Sequence, residues 1–215
     1  MAVTPDGSPV DVYLRLPPRG EAELVHGAIP AGAEVLELGC GVGRITHELI
    51  RLGHPVVAVD ESPEMLAHVR GAETVLARIE ELDLGRRFPC VLLASHFVNV
   101  EQSERDVLLR TCVRHLADDG VLLIERYAPD WMPEDSGTVQ IGDVAVTMRD
   151  VRLDGRRFAA TAAYELDGRT WEQPFAAVLL DDDELEAALG RVGLTLARRL
   201  DERGAWVEAR LYSGA

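Results

Sequence analysis

Glu37-Leu38-Gly39-Cys40-Gly41-Val42-Gly43 closes a short apolar run, turns on three glycines and hands over to a helical pattern at Arg44. The run before it, Ala33-Glu34-Val35-Leu36, is bounded by Pro30-Ala31-Gly32, which predicts an interior strand of a parallel sheet. Without Cβ atoms, Gly39 and Gly41 can take positive φ and let backbone approach a ligand closely. Gly43 is expected to let the helix from Arg44 to Leu52 pack on the strand. The spacing is G-x-G-x-G. A nicotinamide or flavin fingerprint needs its third glycine one residue later, where Arg44 stands, so the dinucleotide reading weakens.

A second feature lies at the distance this geometry requires. Val56-Val57-Ala58-Val59 is a β-branched run ending in Asp60, and an acid roughly 20 residues after such a turn reaches the tip of the neighbouring strand, where it can accept both ribose hydroxyls.

On these residues, and on the Ser62-Pro63-Glu64-Met65-Leu66 that follows Asp60, the chain from about Gly32 onward resembles the class I S-adenosylmethionine-dependent methyltransferases of small-molecule type. The resemblance implies S-adenosyl-L-methionine as cofactor and S-adenosyl-L-homocysteine as product. It implies that Glu37 organises the methionine amino end, that Gly39, Cys40 and Gly41 line the cofactor, and that Asp60, with Glu61 beside it, holds the ribose. Relatives usually follow the third strand with an Asp-Ala pair that meets the adenine. Here the stretch is Ala77-Arg78-Ile79-Glu80-Glu81, so the backbone of Ile79 and the carboxylate of Glu80 are carried over and Arg78 is not. Ala94, at the tip of the fourth strand, completes that side. Tyr13 either closes over the cofactor carboxylate, as an arm tyrosine does in many relatives, or packs the arm.

The 215 residues suffice for one well-buried domain. Five prolines between residues 1 and 31 and one short apolar piece, Val10 to Leu16, predict an N-terminal arm with a single helical turn. Residues 32–215 follow as the methyltransferase domain. Within it strand and helix patterns alternate up to Val121–Glu125, which demands a parallel sheet with helices on both faces. After Trp131 the pattern changes. Asp143 to Leu153, Arg157 to Leu166 and Thr170 to Leu180 read as three strands joined at Asp154-Gly155 and Asp167-Gly168, an antiparallel meander inserted at about 132–180. A helix from Glu184 and an antiparallel pair, Leu194–Leu200 and Ala205–Leu211, close the chain. The expected fold is therefore α/β, a Rossmann-like sheet of seven mostly parallel strands capped by a meander.

Net charge is −15, and all 22 Lys-plus-Arg positions are Arg. Repulsion from phosphate backbones opposes nucleic-acid binding, and the absence of Lys removes Schiff-base chemistry. No apolar run approaches the ~18 residues that span a bilayer. Met1 to Asp6 has neither the basic start nor the apolar core of a signal peptide, so a cytoplasmic location is expected. Cys40, Cys90 and Cys112 have neither disulfide nor zinc-ligand spacing and read as small core residues; no metal is expected.

Methyl transfer needs an in-line nucleophile about 3 Å from the methyl carbon, a dry site and, for some acceptors, a base. The acceptor side is expected beyond the fourth and fifth strands, from His96, Phe97, Arg126, Tyr127 and Trp131. His96 either acts as general base or merely caps a helix and packs beside the cofactor. Arg126 either binds an acidic group of the acceptor or makes a surface ion pair. Trp171 and Phe175 read chiefly as meander packing. The reading is O- or N-methylation of a small molecule, by a protein that could form a homodimer. The rivals are a non-methylating S-adenosylmethionine-binding protein on the same fold, serving as regulator or using the sulfonium electrostatically, and a protein methyltransferase.

Overall fold

The computed structural model describes residue 4 and residues 7–135 and 137–212; the sequence signals read from residues 1–3, 5, 6 and 136 lie outside the described residues. Seven strands form the main sheet: β1 (Val35–Leu38), β2 (Val56–Asp60), β3 (Glu73–Leu76), β4 (Phe88–Leu93), β5 (Leu116–Glu125), β10 (Leu194–Arg199) and β11 (Trp206–Leu211). Their order is β10-β11-β5-β4-β1-β2-β3. β1 to β5 pair in parallel, and β11 is antiparallel to both β5 and β10. The chain is thus α/β and Rossmann-like, as its βα alternation requires.

Side-chain alternation along these strands divides the core. Leu36, Leu38, Val57, Val59, Val91, Leu93, Leu122 and Ile124 face α5 (Gln102–His115) and α6 (Asp182–Arg191). Val35, Val56, Ala58, Cys90, Leu92, Val121 and Leu123 face α2 (Glu21–Ala28) and α3 (Arg44–Arg51). The interior strands are buried on both faces and read as continuous apolar runs. α6 begins at a capping box, in which Asp181 and Glu184 each accept the other's backbone N–H.

The segment before β1 departs from expectation. The single turn is α1 (Val10–Tyr13), but the eight-residue α2 follows it. Ala22, Val25 and Ile29 recur at helical spacing and are buried against α3, so the helix is held by tertiary packing that a proline-rich reading obscures.

The inserted sheet has four strands rather than three: β6 (Val139–Ile141), β7 (Val144–Asp154), β8 (Arg157–Leu166) and β9 (Arg169–Val178), in that order and antiparallel. Val139-Gln140-Ile141 is too short to show alternation, but Gly142-Asp143 after it is a two-residue hairpin turn of the same kind as the others. One face of this cap packs on β5's exit through Tyr127, Trp131, Phe158, Phe175 and Leu179. Val144 and Leu166 pack on Val12 of α1. Among the described residues no helix is long and apolar enough to cross a membrane.

Candidate active site

The strand tips of β1 and β2 make a cradle. Gly39 and Gly41 take φ of 72° and 57°, in the left-handed region that glycine enters without steric cost. A Cβ on Gly41 would meet open space, whereas one on Gly39 would strike the Phe97 ring at 2.3 Å. Gly43 clears His47 and Val69, not the strand, which corrects the expectation for the third glycine. Asp60 binds the loop from the side: Oδ2 accepts the Gly41 N–H at 2.8 Å and Oδ1 the Ser62 N–H at 2.9 Å. Behind them Glu37 is buried, and its Oε2 accepts the Thr46 hydroxyl at 2.5 Å. Burial pushes the Glu37 carboxyl up to about 7; Asp60 acts in the same direction, against the Thr46 hydrogen bond and Arg44. Cys40 lies between the glycines as a buried thiol that burial pushes up, so it is neutral and no nucleophile.

Around this cradle, Ile79 is buried in the 3-10 turn after β3, and Glu80 in the same turn pairs with Arg78 at 3.4 Å. Glu61 is exposed, and Ala94 is buried at the β4 exit. Tyr13 packs with Val10 of α1 against Val42 of the glycine loop and Met65 of α4 (Pro63–Leu66), so the arm lies on the cradle. Arg19 joins this edge. Glu21, nearly fully buried, accepts the Arg19 N–H at 2.6 Å and also pairs with Arg44 at the start of α3.

The tips of β4 and β5 make the second half. Ser95 and His96 are consecutive non-glycine residues with φ of 55° and 62°, a conformation that costs roughly 1–2 kcal/mol per residue. The turn lays the His96 ring flat on Tyr127, with centroids 4.1 Å apart and planes 17° apart, and Tyr127 stacks in turn on Trp131 at 4.5 Å. Phe158 of the cap meets both Tyr127 and Trp131 edge-on. His96 Nδ1 is buried and, among the described residues, has no hydrogen-bond partner. Burial holds this imidazole below its usual range, against the raising field of Glu125, and Arg19 lowers it further; at neutral pH the ring is an uncharged base. Burial also pushes the Tyr127 phenol up to about 12, so it stays protonated.

Together the two halves fit a nucleoside-bearing ligand beside an aromatic platform: an open glycine cradle, a carboxylate at a strand tip and a half-buried imidazole with its Nδ1 turned inward. Residues 35–120 match the family model for a methyltransferase domain. The matched stretch runs from β1 into β5. It is 31% identical over 139 residues to a dTDP-3-amino-3,6-dideoxy-alpha-D-glucopyranose N,N-dimethyltransferase of Streptomyces fradiae, covering 59% of this chain and 53% of that protein. It is 33% identical over 102 residues to a cypemycin N-terminal methyltransferase of a Streptomyces species, covering 44% and 42%. The chain thus spans about half the length, or less, of these curated relatives. Among solved structures, the CcbJ methyltransferase of Streptomyces caelestis superposes with a TM-score of 0.75 at 23% identity, over 98% of this chain and 93% of that one. The sugar N-methyltransferase KedS8 of a Streptoalloteichus species superposes at 0.74 and 21%, over 99% and 97%. These two likenesses show the fold.

At the strand tips Arg126 also departs from expectation, and two further residues come forward. Arg126 does not face an acceptor. It is wholly buried, its guanidinium donates to the carbonyls of Gly204, Leu180 and Asp181, and it pairs with Asp182, so it ties β5 to the start of α6 and the β10–β11 turn. One step along the strand from Glu125, its side chain points to the opposite face. Asn99, also buried, donates to the Val178 carbonyl at 2.8 Å and accepts the Tyr127 N–H at 3.1 Å, joining the β4 exit, the β5 exit and the cap. Glu125 accepts the Ser95 N–H at 2.7 Å. Both stand within stretches already marked by sequence, but nothing in a linear reading shows which neighbours they reach.

Proposed function

We propose that the protein transfers the methyl group of S-adenosyl-L-methionine to an oxygen or nitrogen of a small-molecule acceptor. The observation that carries this reading is the junction of the Gly39–Gly41 cradle, flanked by Asp60 and Glu37, with the His96–Tyr127–Trp131 stack, whose Phe97 touches Gly39. The bound cofactor supplies an electrophilic methyl group on a sulfonium. Asp60 would hold the ribose by exchanging its Gly41 and Ser62 contacts for, or sharing them with, the hydroxyls. Glu37 would take the amino group, Gly39, Cys40 and Gly41 would line the chain between, and Ile79 and Glu80 would border the adenine, with Glu61 at the rim. Tyr13 and Arg19, both on the segment lying across the cradle, would close it on the amino-acid side. Ala94 and Phe97 wall off the β4 exit and exclude water.

On the acceptor side, Tyr127 and Trp131 offer flat faces to a ring or cation, and neutral His96 takes up a proton from a hydroxyl or ammonium. A nitrogen acceptor is favoured by the surroundings: Glu37, Asp60 and Glu125 load the site with carboxylates, and the net charge of −15 attracts a cationic amine. The same charge disfavours nucleic acid. The protein is taken to work in the cytoplasm, with residues 32–215 as the methyltransferase domain, 1–31 as its covering arm and the insertion at about 132–180 as the acceptor-side cap.

The test is release of S-adenosyl-L-homocysteine by purified protein supplied with amino sugars, other primary amines and phenols. Product that appears only when acceptor is added supports the reading. Tight cofactor binding with no acceptor-dependent release across such a panel would instead favour a cofactor-binding protein without turnover.

A further inference from the structure

Glu125 is a buried carboxylate. It ends β5 on the same strand face as Val121 and Leu123, is 7% exposed, and among the described residues pairs with no Arg or His at ion-pair distance. A carboxylate withdrawn from water is normally paired with a cation or fully hydrogen-bonded. Here the Ser95 N–H at 2.7 Å is the donor that the described residues offer. That amide belongs to the turn where two successive L-residues, Ser95 and His96, are held left-handed. Such a conformation persists only where surroundings over-determine it. The other bonds of the turn, Phe97 N–H to the Ala94 carbonyl at 3.3 Å and Asn99 N–H to the His96 carbonyl at 2.8 Å, close its far side and leave Ser95 to Glu125.

We propose that Glu125 is the positioning residue of His96: its carboxylate holds Ser95, and hence the left-handed turn, in the form that lays the imidazole flat on Tyr127 with Nδ1 turned inward. The groups facing His96 agree with this assignment. Glu125 presents a negative field from β5, the Arg126 carbonyl lies beside the ring, Tyr127 covers one face, and Arg19 of the N-terminal segment opposes them with a positive charge. Glu125 therefore serves twice. It fixes the ring's place through Ser95, and its charge offsets part of the loss of basicity that burial imposes. The role builds on the reading of His96 as the proton acceptor of the proposed methyl transfer.

Three variants separate these effects. Glu125→Gln keeps an amide oxygen for Ser95 but removes the charge. Glu125→Ala removes both. Ser95→Gly in the Glu125→Ala background lets the turn go left-handed without help, at an exposed position. In ligand-free protein followed by NMR, the His96 titration midpoint is expected to fall in Glu125→Gln relative to wild type. In turnover, Glu125→Ala is expected to lower kcat about tenfold or more with little change in KM for S-adenosylmethionine, and Ser95→Gly to restore most of that loss. An unmoved His96 midpoint in Glu125→Gln, or no recovery in the double variant with cofactor affinity intact, overturns the assignment. The near-isosteric Glu125→Gln carries the test if Glu125→Ala does not fold. A wild-type protein that releases no homocysteine product would defeat the methyl-transfer reading alone, because the NMR midpoint still decides the role of Glu125.

Discussion

The proposed cofactor half and the proposed acceptor half of the site are built over different distances along the chain. On the cofactor side, Asp60 reaches Gly41 across 19 residues and Glu37 reaches Thr46 across 9. On the acceptor side, Ser95 meets Glu125 across 30, Asn99 meets Val178 across 79, and Gln173 of the cap meets Ser8 of the arm across 165. The hydrogen bonds of the cradle thus lie within one βαβ unit, whereas those around the aromatic stack join β5, the cap and the arm.

The largest effect that would sharpen this contrast is expected at Asp60. Asp60→Ala removes a charged partner worth ~1.5–3 kcal/mol per hydrogen bond, so calorimetric titration should show S-adenosylmethionine binding weakened on the order of 100-fold. The near-ultraviolet circular dichroism of the Tyr127–Trp131 stack should not change. Loss of that signal in the variant would break the independence of the two halves.

Asn99→Ala is the converse. It leaves the Val178 carbonyl and the Tyr127 N–H without their partner in a buried place, and should cost about 2 kcal/mol of stability in urea unfolding. Acceptor turnover should fall while cofactor affinity stays within about twofold. An equal loss of both would show that the crossbar supports the whole sheet rather than the acceptor side.

His96→Ala is expected to lower kcat at least about tenfold for a phenol or alcohol, whose proton must leave, and only a few-fold for an amine assayed above its pKa. An alcohol acceptor with unchanged kcat and pH profile would remove His96 from the chemistry.

The smallest effect concerns pH. Glu37, raised by burial to about 7 from an ordinary 4.5, holds its proton in the free protein at slightly acid pH. An ammonium group bound beside it would favour the ionised form, so binding releases that proton and affinity rises with pH, by about threefold from pH 6.5 to 7.5. The matching stability effect has the opposite sign. The unfolded chain loses the proton near 4.5 and the native protein near 7, so the ligand-free protein loses stability as pH rises through that window. Calorimetry in buffers of different ionisation enthalpy should count the released proton; a buffer-independent enthalpy at pH 6.5 would place the amino group away from Glu37.

Legibility followed the same division. Gly39, Gly41 and Asp60 can be marked from spacing because a glycine turn and an acid-ended strand are local patterns with a local geometric cause, whereas Glu37 is marked only by the family resemblance. The hairpin turns at Gly155 and at Asp167-Gly168 were marked for the same reason. Arg126 was misjudged because a strand-end arginine looks alike whether it meets solvent or carbonyls. Burial by α6 and the Gly204 turn, each more than 50 residues away, decided its role. α2 was missed because prolines on both sides of it outweighed an apolar spacing that only α3 makes useful.

What the amino-acid sequence determined alone is the βα alternation, the glycine cradle with its acid, the presence of an inserted antiparallel sheet and the strongly negative charge. These depend on side-chain period, backbone freedom and composition, all of which are local. Only the tertiary structure decided that Arg126 is a strut, that Asn99 joins three elements and that the arm lies across the cradle. It alone decided that Glu125 grips the turn bearing His96, because burial and hydrogen-bond partners are properties of distant segments brought together.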